Sequence, residues 1–342
     1  MLFIDGIIYC LQSHGGITVY FNEILDGLNK HFIPYKLIKY EVDDKQFANS
    51  IKLDDNVVIH KRRILERYRN FNVITKVPSV LHSSYYRIST QQNIKNITTV
   101  HDFTYEKYVS GLSRAVHCHQ KYSAIKKSDA IICVSENTAN DLLRYCPVKE
   151  NKIHVIHNGV SPIYRPILNI DFIEKRNVLF VGSRAGYKNF DVAVKAISGL
   201  DHLSLSIVGG GEVNDKEKLL LDSLLKNRYH ILGKLSNEEL NFQYNTAYAL
   251  LYPSSYEGFG IPILEAMRAG CPVIAMNSSS IPEVAGDAAL LVEDPAAEAF
   301  KEALIAIDGK RNIMVLNGFK QASKFSWDSC VNKTINLYNQ FI

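Results

Sequence analysis

The sequence predicts an α/β protein of two doubly wound domains, each built on a mainly parallel sheet. Three observations lead to this fold class. The 342 residues exceed the roughly 250–300 that a single hydrophobic core usually serves. Short apolar runs recur from end to end and are mostly continuous, which is typical of strands buried on both faces of a parallel sheet. Amphipathic stretches separate these runs, as crossover helices do in βαβ units.

The alternation of strands and helices starts twice along the chain. Residues 161–177 contain two prolines and no clear period, and NVLFVG then begins a fresh series. We therefore place a linker near Ser161–Arg176, an N-terminal domain over 1–165 and a C-terminal domain over 166–326. The last helical stretch, about 327–342, has no strand after it and is expected to pack back on the first domain.

Local sequence also predicts where several helices begin. Side chains that cap the first turn and glycines that open it are the usual signals. We predict such starts at Gly15-Gly16, at Ser135, at Ser236 with Glu239, and at Ser280 with Glu283.

Composition limits the class of protein. A net charge of +4 is too weak to indicate nucleic acid, although it suits anionic substrates or an anionic membrane face. Six cysteines without a CxxC pair favour buried free thiols in a reducing compartment. No signal-peptide pattern and no run of about 18 apolar residues is present. We therefore expect a cytoplasmic protein, open to peripheral contact with the inner face of a membrane.

Ligands of doubly wound sheets bind beyond the carboxyl ends of the strands, so these ends carry the candidate chemistry. Gly15-Gly16 opens the first amphipathic helix, where free N–H groups and close backbone approach suit a diphosphate. A tight turn without a ligand is the alternative. After NVLFV, Gly182 permits a turn, and Arg184 and Lys188 place two cations where a leaving diphosphate would need them. The alternative there is a solvated basic loop.

The most informative segment is SYEGFGIPILEA, which follows a buried strand. Gly258 and Gly260 expose backbone N–H groups at a helix start. Glu257 lies in the loop, and Glu265 lies about two helical turns further along. Both carboxylates can accept hydrogen bonds from hydroxyls, one from a transferred sugar and one from a ribose. The alternative is that these are two surface acids on a helix with no ligand.

His101-Asp102 closes the apolar run ITTV in the first half of the chain. Histidine can hydrogen-bond a sugar hydroxyl or exchange a proton near neutral pH, although a lone strand-end histidine is often structural. His60, His82 and His157 also close apolar runs, but without an HxxxH or HExxH pair we predict no metal site.

Two further segments leave alternatives open. GGGE at 209–212 fails the GxGxxG dinucleotide pattern and suits a backbone loop beside a phosphate or sugar. KRRILERYR at 61–69 is a basic cluster with apolar interruptions. It is either a solvated helix face or, as a minority hypothesis, a patch for anionic lipid or a phosphate-bearing acceptor.

Taken together, these residues resemble glycosyltransferase family 4, retaining enzymes of the GT-B fold in which two Rossmann-like domains face a cleft. The resemblance covers nearly the whole chain, and its most specific part is EGFGIPILEA at 257–266, with Glu257 and Glu265 separated by seven residues. The versions HSSYYR, TVHDFTYE and GSRAGYKN look like bacterial enzymes that build O-antigen or capsule chains, many of which use GDP-mannose or a related sugar nucleotide.

The resemblance implies a role for each matching residue. For the sugar end, His101 binds the donor sugar, Asp102 lies near the acceptor hydroxyl, and Glu257 holds the transferred sugar. For the nucleotide end, Glu265 binds the ribose, and Arg184 and Lys188 stabilise the departing diphosphate. The remaining donor-binding positions implied are Gly15, Gly16, Gly182, Ser183, Leu235, Gly258, Phe259, Gly260 and Ile261. The family usually carries arginine directly after the strand-ending glycine; here Ser183 fills that place and Arg184 follows, whereas Lys188 keeps the usual position. The resemblance also implies that the N-terminal domain, 1–165, binds the acceptor and that the C-terminal domain, 166–326, binds the nucleotide-sugar donor.

The implied activity is retaining hexosyl transfer from a nucleotide sugar, with no cofactor and no metal, to a glycan or polyprenyl-diphosphate-linked glycan. Because the two cations supply the stabilising charge, no divalent metal is required. We predict a front-face transfer, in which a phosphate oxygen accepts the acceptor's proton. The alternatives are a sugar-nucleotide epimerase, which would not need EGFGIPILEA, a glycan phosphorylase, for which no pyridoxal lysine is evident, and a non-catalytic scaffold of the same fold.

Overall fold

The computed structural model describes residues 1–12, 15–41, 56–168 and 176–342. These residues form two compact units, one of 1–158 with 327–342 and the other of 159–326. Part of the predicted linker, residues 169–175, lies outside the described residues. In the described part of the chain, no helix is long and apolar enough to cross a membrane.

The first unit is a parallel sheet with strand order β3-β2-β1-β4-β5-β6-β7 among its described residues. The strands are β1 Leu2–Asp5, β2 Tyr35–Tyr40, β3 Val57–His60, β4 Ser79–Ser83, β5 Ile94–Val100, β6 Ala130–Cys133 and β7 Ile153–Val155. The helices are α1 Gly16–Lys30, α2 Thr104–Tyr108, α3 Gly111–Lys127 and α4 Glu136–Tyr145. β1, β4 and β6 are entirely buried, as their continuous apolar sequences predict.

The second unit is a parallel sheet with strand order β10-β9-β8-β11-β12-β13. Its strands are β8 Asn177–Val181, β9 Ser204–Val208, β10 Tyr229–Gly233, β11 Ala249–Tyr252, β12 Val273–Met276 and β13 Leu290–Val292. Its helices are α5 Phe190–Ser198, α6 Asp215–Leu224, α7 Asn237–Thr246, α8 Ile261–Ala269, α9 Ile281–Ala285, α10 Ala297–Ala306 and α11 Arg311–Ala322. Two parallel-sheet Rossmann-like domains are therefore present, as the sequence predicts.

The chain passes to the second unit earlier than the boundary drawn from sequence after residue 165. Val160 forms a parallel bridge with Ser326. The backbone N–H of Arg165 donates to Asn241 Oδ1 at 3.0 Å, and the backbone N–H of Ile167 donates to Asn245 Oδ1 at 2.8 Å. Side-chain amides of α7 thus bind residues 159–168 to the second unit, which the lack of periodicity in that segment does not reveal.

The final helix, α12 Trp327–Tyr338, belongs to the first unit. It crosses α1 so closely that a Cβ placed on Gly27 would lie 2.3 Å from Val331 Cγ1, so only glycine fits there. Tyr338 OH lies 2.6 Å from His82 Nδ1, and Thr99 Oγ1 lies 2.7 Å from the other ring nitrogen. Burial lowers the pKa of His82 to about 3, so this histidine is a neutral part of the core.

All four predicted helix starts are confirmed, one of them by α9, which begins at Ile281 directly after Ser280. α1 begins at Gly16 after Gly15. Ser135 accepts a capping bond from the N–H of Thr138. Ser236 forms the predicted capping box with Glu239 at the start of α7.

The interpretation of residues 61–69 as a helix face is wrong. The segment leaves β3 as a loop, and its only regular turn among the described residues is the 3₁₀ turn Glu66–Tyr68. Arg63 pairs with buried Glu66, and the Arg67 guanidinium lies over the rings of Tyr68 and Tyr85. Leu65 has a left-handed backbone (φ 58°), so a right-handed helix cannot continue through it. The charge pattern of the segment gave no sign of this interruption.

Candidate donor site and the strand-end histidine

The candidate site of the second unit lies where β8, β9 and β11 end. β8 is hydrogen-bonded to β9 on one side and β11 on the other. Since all three strands are parallel, their carboxyl-terminal loops meet at one edge of the sheet. These loops carry residues 182–188, 209–212 and 253–260, which the sequence singled out separately.

Lys188 and Glu257 meet at this edge. Lys188 ends a 3₁₀ turn, Gly186–Lys188, and its Nζ lies 2.5 Å from Glu257 Oε1. Both side chains are largely buried, 13% and 12% exposed. A partly buried ion pair is stronger than a surface pair, and it holds a cation and a hydrogen-bond acceptor side by side.

The loops that carry this pair are joined by Asn189. This residue takes a left-handed backbone (φ 51°) between the 3₁₀ turn and α5. Its Nδ2 donates to the carbonyl of Pro253 at 2.8 Å and to Ser255 Oγ at 2.7 Å. The backbone N–H of Ser255 in turn donates to the carbonyl of Tyr187. The 182–188 and 253–260 loops are therefore fixed relative to one another.

The glycine-containing loop before α8 is also bonded to the loop that follows β12. Ser280 Oγ lies 2.9 Å from the carbonyl of Glu257 and 3.0 Å from that of Phe259. Ser279 Oγ accepts from the N–H of Glu257 at 2.8 Å. Ser280 is the N-cap residue of α9, so the helix start predicted there is confirmed, but its hydroxyl makes no capping bond and is used across the loops instead.

Arg184 is engaged by the glycine loop after β9. Its guanidinium donates to the carbonyls of Gly209, Gly210, Gly211 and Glu212, at distances from 2.7 to 3.2 Å. Its Nε lies 3.1 Å from Glu217 Oε2 as an ion pair. The glycines of this loop have φ of 74–79°, and a Cβ on Gly210 would lie 2.5 Å from Arg184 Nη1. The arginine and the glycines therefore form one unit, which their separate positions in the sequence do not reveal.

Glu265 lies on the second turn of α8, away from the ion pair. Tyr244 OH donates to its Oε2 at 3.0 Å, and Tyr164 also hydrogen-bonds this carboxylate. Burial raises the pKa of Glu265 to about 7, and the two tyrosines partly oppose that rise. The carboxylate is thus held by hydroxyl donors alone, which is the kind of partner that a ribose would also offer.

The other predicted donor-binding residues of this unit surround the same loops. Gly260 has φ 105° and precedes α8 as its N-cap, so a side chain there would be strained. The rest lie as follows: Gly182 at the end of β8, Ser183 exposed beside it, Leu235 half-buried between β10 and α7, Gly258 and buried Phe259 in the loop, and Ile261 at the first position of α8.

His101 and Asp102 follow β5 in the first unit. His101 Nε2 is buried and has no hydrogen-bond partner among the described residues. The ring packs edge-on against Tyr20, and burial lowers the pKa of His101 to about 4. Asp102 Oδ1 accepts from the N–H of Thr104, and Lys121 Nζ donates to the carbonyl of Asp102 at 2.6 Å. The histidine is therefore a neutral, unsatisfied hydrogen-bonding group near neutral pH.

Gly15 and Gly16 lie at the exposed N-terminus of α1. A Cβ added to Gly16 would meet no described atom within 4 Å, so packing within the chain does not require glycine there. Close approach of a group from outside the chain would require glycine there. The structure describes no group of three or more histidine, cysteine or acidic residues arranged to hold a metal ion.

Sequence reasoning did not assign Asn189, Tyr164 or Tyr244 to the site, and it named Ser280 only as a helix start. The only signals available were the asparagine directly after Lys188 and the SSS triplet at 278–280 directly after a strand. Their partners are more than twenty residues away, so spacing alone does not reveal the bonds.

Two Rossmann-like parallel-sheet domains with this set of loops define a glycosyltransferase of the GT-B class. Comparison with known proteins agrees. Residues 14–163 match the family described as Glycosyltransferase Family 4, and residues 169–312 match Glycosyl transferases group 1. The chain thus combines domains of these two glycosyltransferase families and is a glycosyltransferase, as the resemblance predicts.

Three similar proteins illustrate the match. O-antigen chain mannosyltransferase B of Escherichia coli is 29% identical over 71% of this chain and 69% of its own. Sucrose-phosphate synthase from Thermosynechococcus elongatus superposes with a TM-score of 0.80 at 18% identity, covering 99% and 98% of the two chains. Anabaena HepE in complex with UDP and glucose superposes with a TM-score of 0.77 at 13% identity, covering 99% of each chain. At these identities the two structures support the fold.

Proposed function

We propose that this glycosyltransferase moves a hexose, with retained anomeric configuration, from a nucleoside-diphosphate sugar to a glycan or a polyprenyl-diphosphate-linked glycan in bacterial surface polysaccharide synthesis. The name of the E. coli relative, an O-antigen chain mannosyltransferase, supports this acceptor class and a donor like GDP-mannose. The complex of HepE with UDP and glucose keeps UDP-sugars among the candidates.

The ion pair of Lys188 and Glu257 is the observation that carries the proposal. It puts an ammonium group and a carboxylate 2.5 Å apart on loops that Asn189 and Ser280 hold in place. A leaving diphosphate needs a cation in a fixed position, and sugar hydroxyls need an acceptor beside it. A single ligand that carries both a diphosphate and a sugar would use both the ammonium group and the carboxylate, which explains why the two lie together.

We propose the other roles as the family resemblance implies them. In the second unit, Glu265 accepts from the ribose hydroxyls, Leu235 lies near the base, and the N–H groups at Gly258, Phe259 and Gly260 face the donor. In the first unit, Gly16 approaches the diphosphate and His101 uses its unpartnered Nε2 for the donor sugar, while Asp102 lies near the acceptor hydroxyl. We propose that Arg184 acts through the glycine loop it binds.

The chemistry is a front-face substitution at the anomeric carbon. The bond from this carbon to the diphosphate oxygen breaks, the acceptor oxygen bonds to the same face, and a phosphate oxygen takes the acceptor's proton. Lys188 stabilises the charge that develops on the departing diphosphate, so we propose that no metal and no cofactor are needed.

Thermal shift with UDP, GDP, ADP and CMP, each with and without a chelator, tests the proposal. A nucleotide at about 100 times its dissociation constant adds roughly 2.7 kcal/mol to the free energy of unfolding. We expect one nucleoside diphosphate to stabilise the protein equally well with chelator. Failure of all four, or stabilisation that the chelator abolishes, would contradict the proposed donor site or its independence of metal.

We further propose that the enzyme works at the inner face of a membrane, where a lipid-linked acceptor resides. Ile64 and Leu65 are 83% and 66% exposed in a loop that also carries Lys61 and Arg62. Exposed apolar side chains among cations suit an anionic lipid surface. Flotation with anionic vesicles at low salt checks this: wild type is expected to float, and Ile64→Asp with Leu65→Asp is expected to stay in solution.

A further inference from the structure

The first unit contains a pocket that the proposed donor site does not use. It has a volume of about 520 Å³, within the range of ligand sites. Six of its lining residues form one stripe of α3, at the i, i+4 spacing that brings side chains to a common face: Ala115, Val116, His119, Gln120, Ser123 and Ala124. The facing wall comes from the segments 68–70 and 86–88.

We propose that this pocket binds a sugar residue of a glycan. Tyr68 and Tyr86 supply aromatic surface, against which the C–H face of a pyranose ring can pack. Asn70, Gln120 and Ser123 supply amide and hydroxyl groups that match the hydroxyl rim of the same ring.

One of these polar groups has an unfilled hydrogen-bonding position. Gln120 Nε2 donates to the carbonyl of Arg67, whereas Gln120 Oε1 is buried and has no partner in the part of the chain that the structure describes. A buried acceptor without a donor costs about 1–3 kcal/mol, which a ligand hydroxyl would recover. The amide is thus fixed by one end and presents the other.

Two arginines line the pocket. The guanidinium of Arg87 is bound to Asp5 at 2.9 Å and to Glu66 at 2.6 Å, so its charge is balanced within the chain, whereas Arg69 donates from Nε to the carbonyl of Ile64. An acyl or isoprenoid chain is disfavoured, because it would bury Asn70, Gln120 and Ser123 without hydrogen bonds. The hydroxyl groups of a sugar can pair with these side chains and can also accept from a guanidinium.

α3 connects the pocket to the strand-end histidine motif. On another face of the helix, Lys121 donates to the carbonyl of Asp102, and the ring of His117 stacks on Tyr105 of α2 at 3.8 Å. If Asp102 lies near the acceptor hydroxyl, one helix serves both places, and the pocket then holds another part of the acceptor. That assignment rests on the proposed function, whereas binding of a sugar here does not.

Binding to a printed array of bacterial surface glycans tests the proposal with full-length protein. Ala115→Phe places a ring at an exposed position of the pocket wall, so folding is expected to survive. Ser113→Phe adds the same ring at an exposed position of the same helix outside the lining and serves as the matched control. Gln120→Ala removes the unpartnered amide oxygen.

Wild type and Ser113→Phe are expected to bind one class of glycan, and Ala115→Phe to lose that signal. Gln120→Ala is expected to weaken it up to about tenfold, the value of a neutral hydrogen bond. Equal signal from Ala115→Phe, absence of any glycan signal from wild type, or binding of anionic vesicles that only Ala115→Phe abolishes would each overturn the proposal.

The nucleotide thermal shift, run on the same variants, separates this proposal from the donor site. Ala115→Phe is expected to leave the response to nucleoside diphosphate unchanged. Nucleotide binding without glycan binding contradicts the pocket alone, and glycan binding without any nucleotide response contradicts the proposed function alone.

Discussion

The strand-end loops of the two units differ in how their polar groups are used. In the second unit, Asn189 and Ser280 bind loop backbone, and Arg184 binds the glycine loop. In the first unit, His101 Nε2 and Asn158 Oδ1 are buried without partners among the described residues. Unpaired buried groups are costly, so the two unpaired groups of the first unit suit the hydroxyls of a ligand. The bonded side chains of the second unit instead hold a rigid site in place before a ligand arrives.

The largest expected effect comes from removing the cation of the rigid site. Lys188→Ala should lower kcat by roughly a hundredfold to a thousandfold, because a fixed charge that stabilises the leaving group is lost. Transfer from the nucleotide sugar identified by thermal shift provides the measurement. Lys195→Ala is the control, since Lys195 forms an exposed pair with Asp191 on α5. Near wild-type turnover of Lys188→Ala would remove Lys188 from the mechanism.

Arg184 distinguishes a loop-holding role from direct phosphate contact. If it acts through the glycine loop, Arg184→Ala should raise the donor KM about tenfold with a smaller change in kcat, and Arg184→Lys should rescue little. A lysine cannot reproduce the forked bonds to four carbonyls. A fall in kcat as deep as that of Lys188→Ala, with KM unchanged, would instead assign the guanidinium to the transition state.

The same contrast explains what the sequence could predict. Continuous apolar runs revealed both parallel sheets, and glycines and charges after strands marked Lys188, Glu257 and Glu265, because those signals are local. The bonds that fix them are not local: Ser280 reaches Glu257, and Tyr244 reaches Glu265, across separate elements. Arg184 shows the limit, since a cation beside a phosphate site has the same sequence signal as a cation that holds a loop.

Removing one bond from the rigid site should cost stability more than catalysis. Ser280 is fully buried, and Ser280→Ala leaves the carbonyls of Glu257 and Phe259 without their donor. We expect a loss of about 1–2 kcal/mol in the free energy of unfolding, measured by urea denaturation, with a few-fold rise in donor KM. Ser323→Ala, which removes an exposed hydroxyl bonded to Lys320, should change neither. Equal stability of the two variants would mean that the loop does not depend on Ser280.

The smallest expected effect is a pH dependence that comes from Glu265. The pKa of Glu265 is about 7 in the free protein, whereas its usual value is 4.5. Between about pH 4.5 and 7, the folded chain therefore keeps a proton that the unfolded chain has released. The stability that this proton contributes is fully present below about pH 4.5 and is lost as pH rises through 7. Ribose hydroxyls donate to the ionised carboxylate, so nucleotide affinity should move the opposite way and tighten a few-fold between about pH 6.5 and 8. Titration calorimetry at several pH values measures this, and Glu265→Gln subtracts the ionisation of the nucleotide itself. If both proteins show the same pH dependence, Glu265 is either ionised already in the free enzyme or does not bind the ribose.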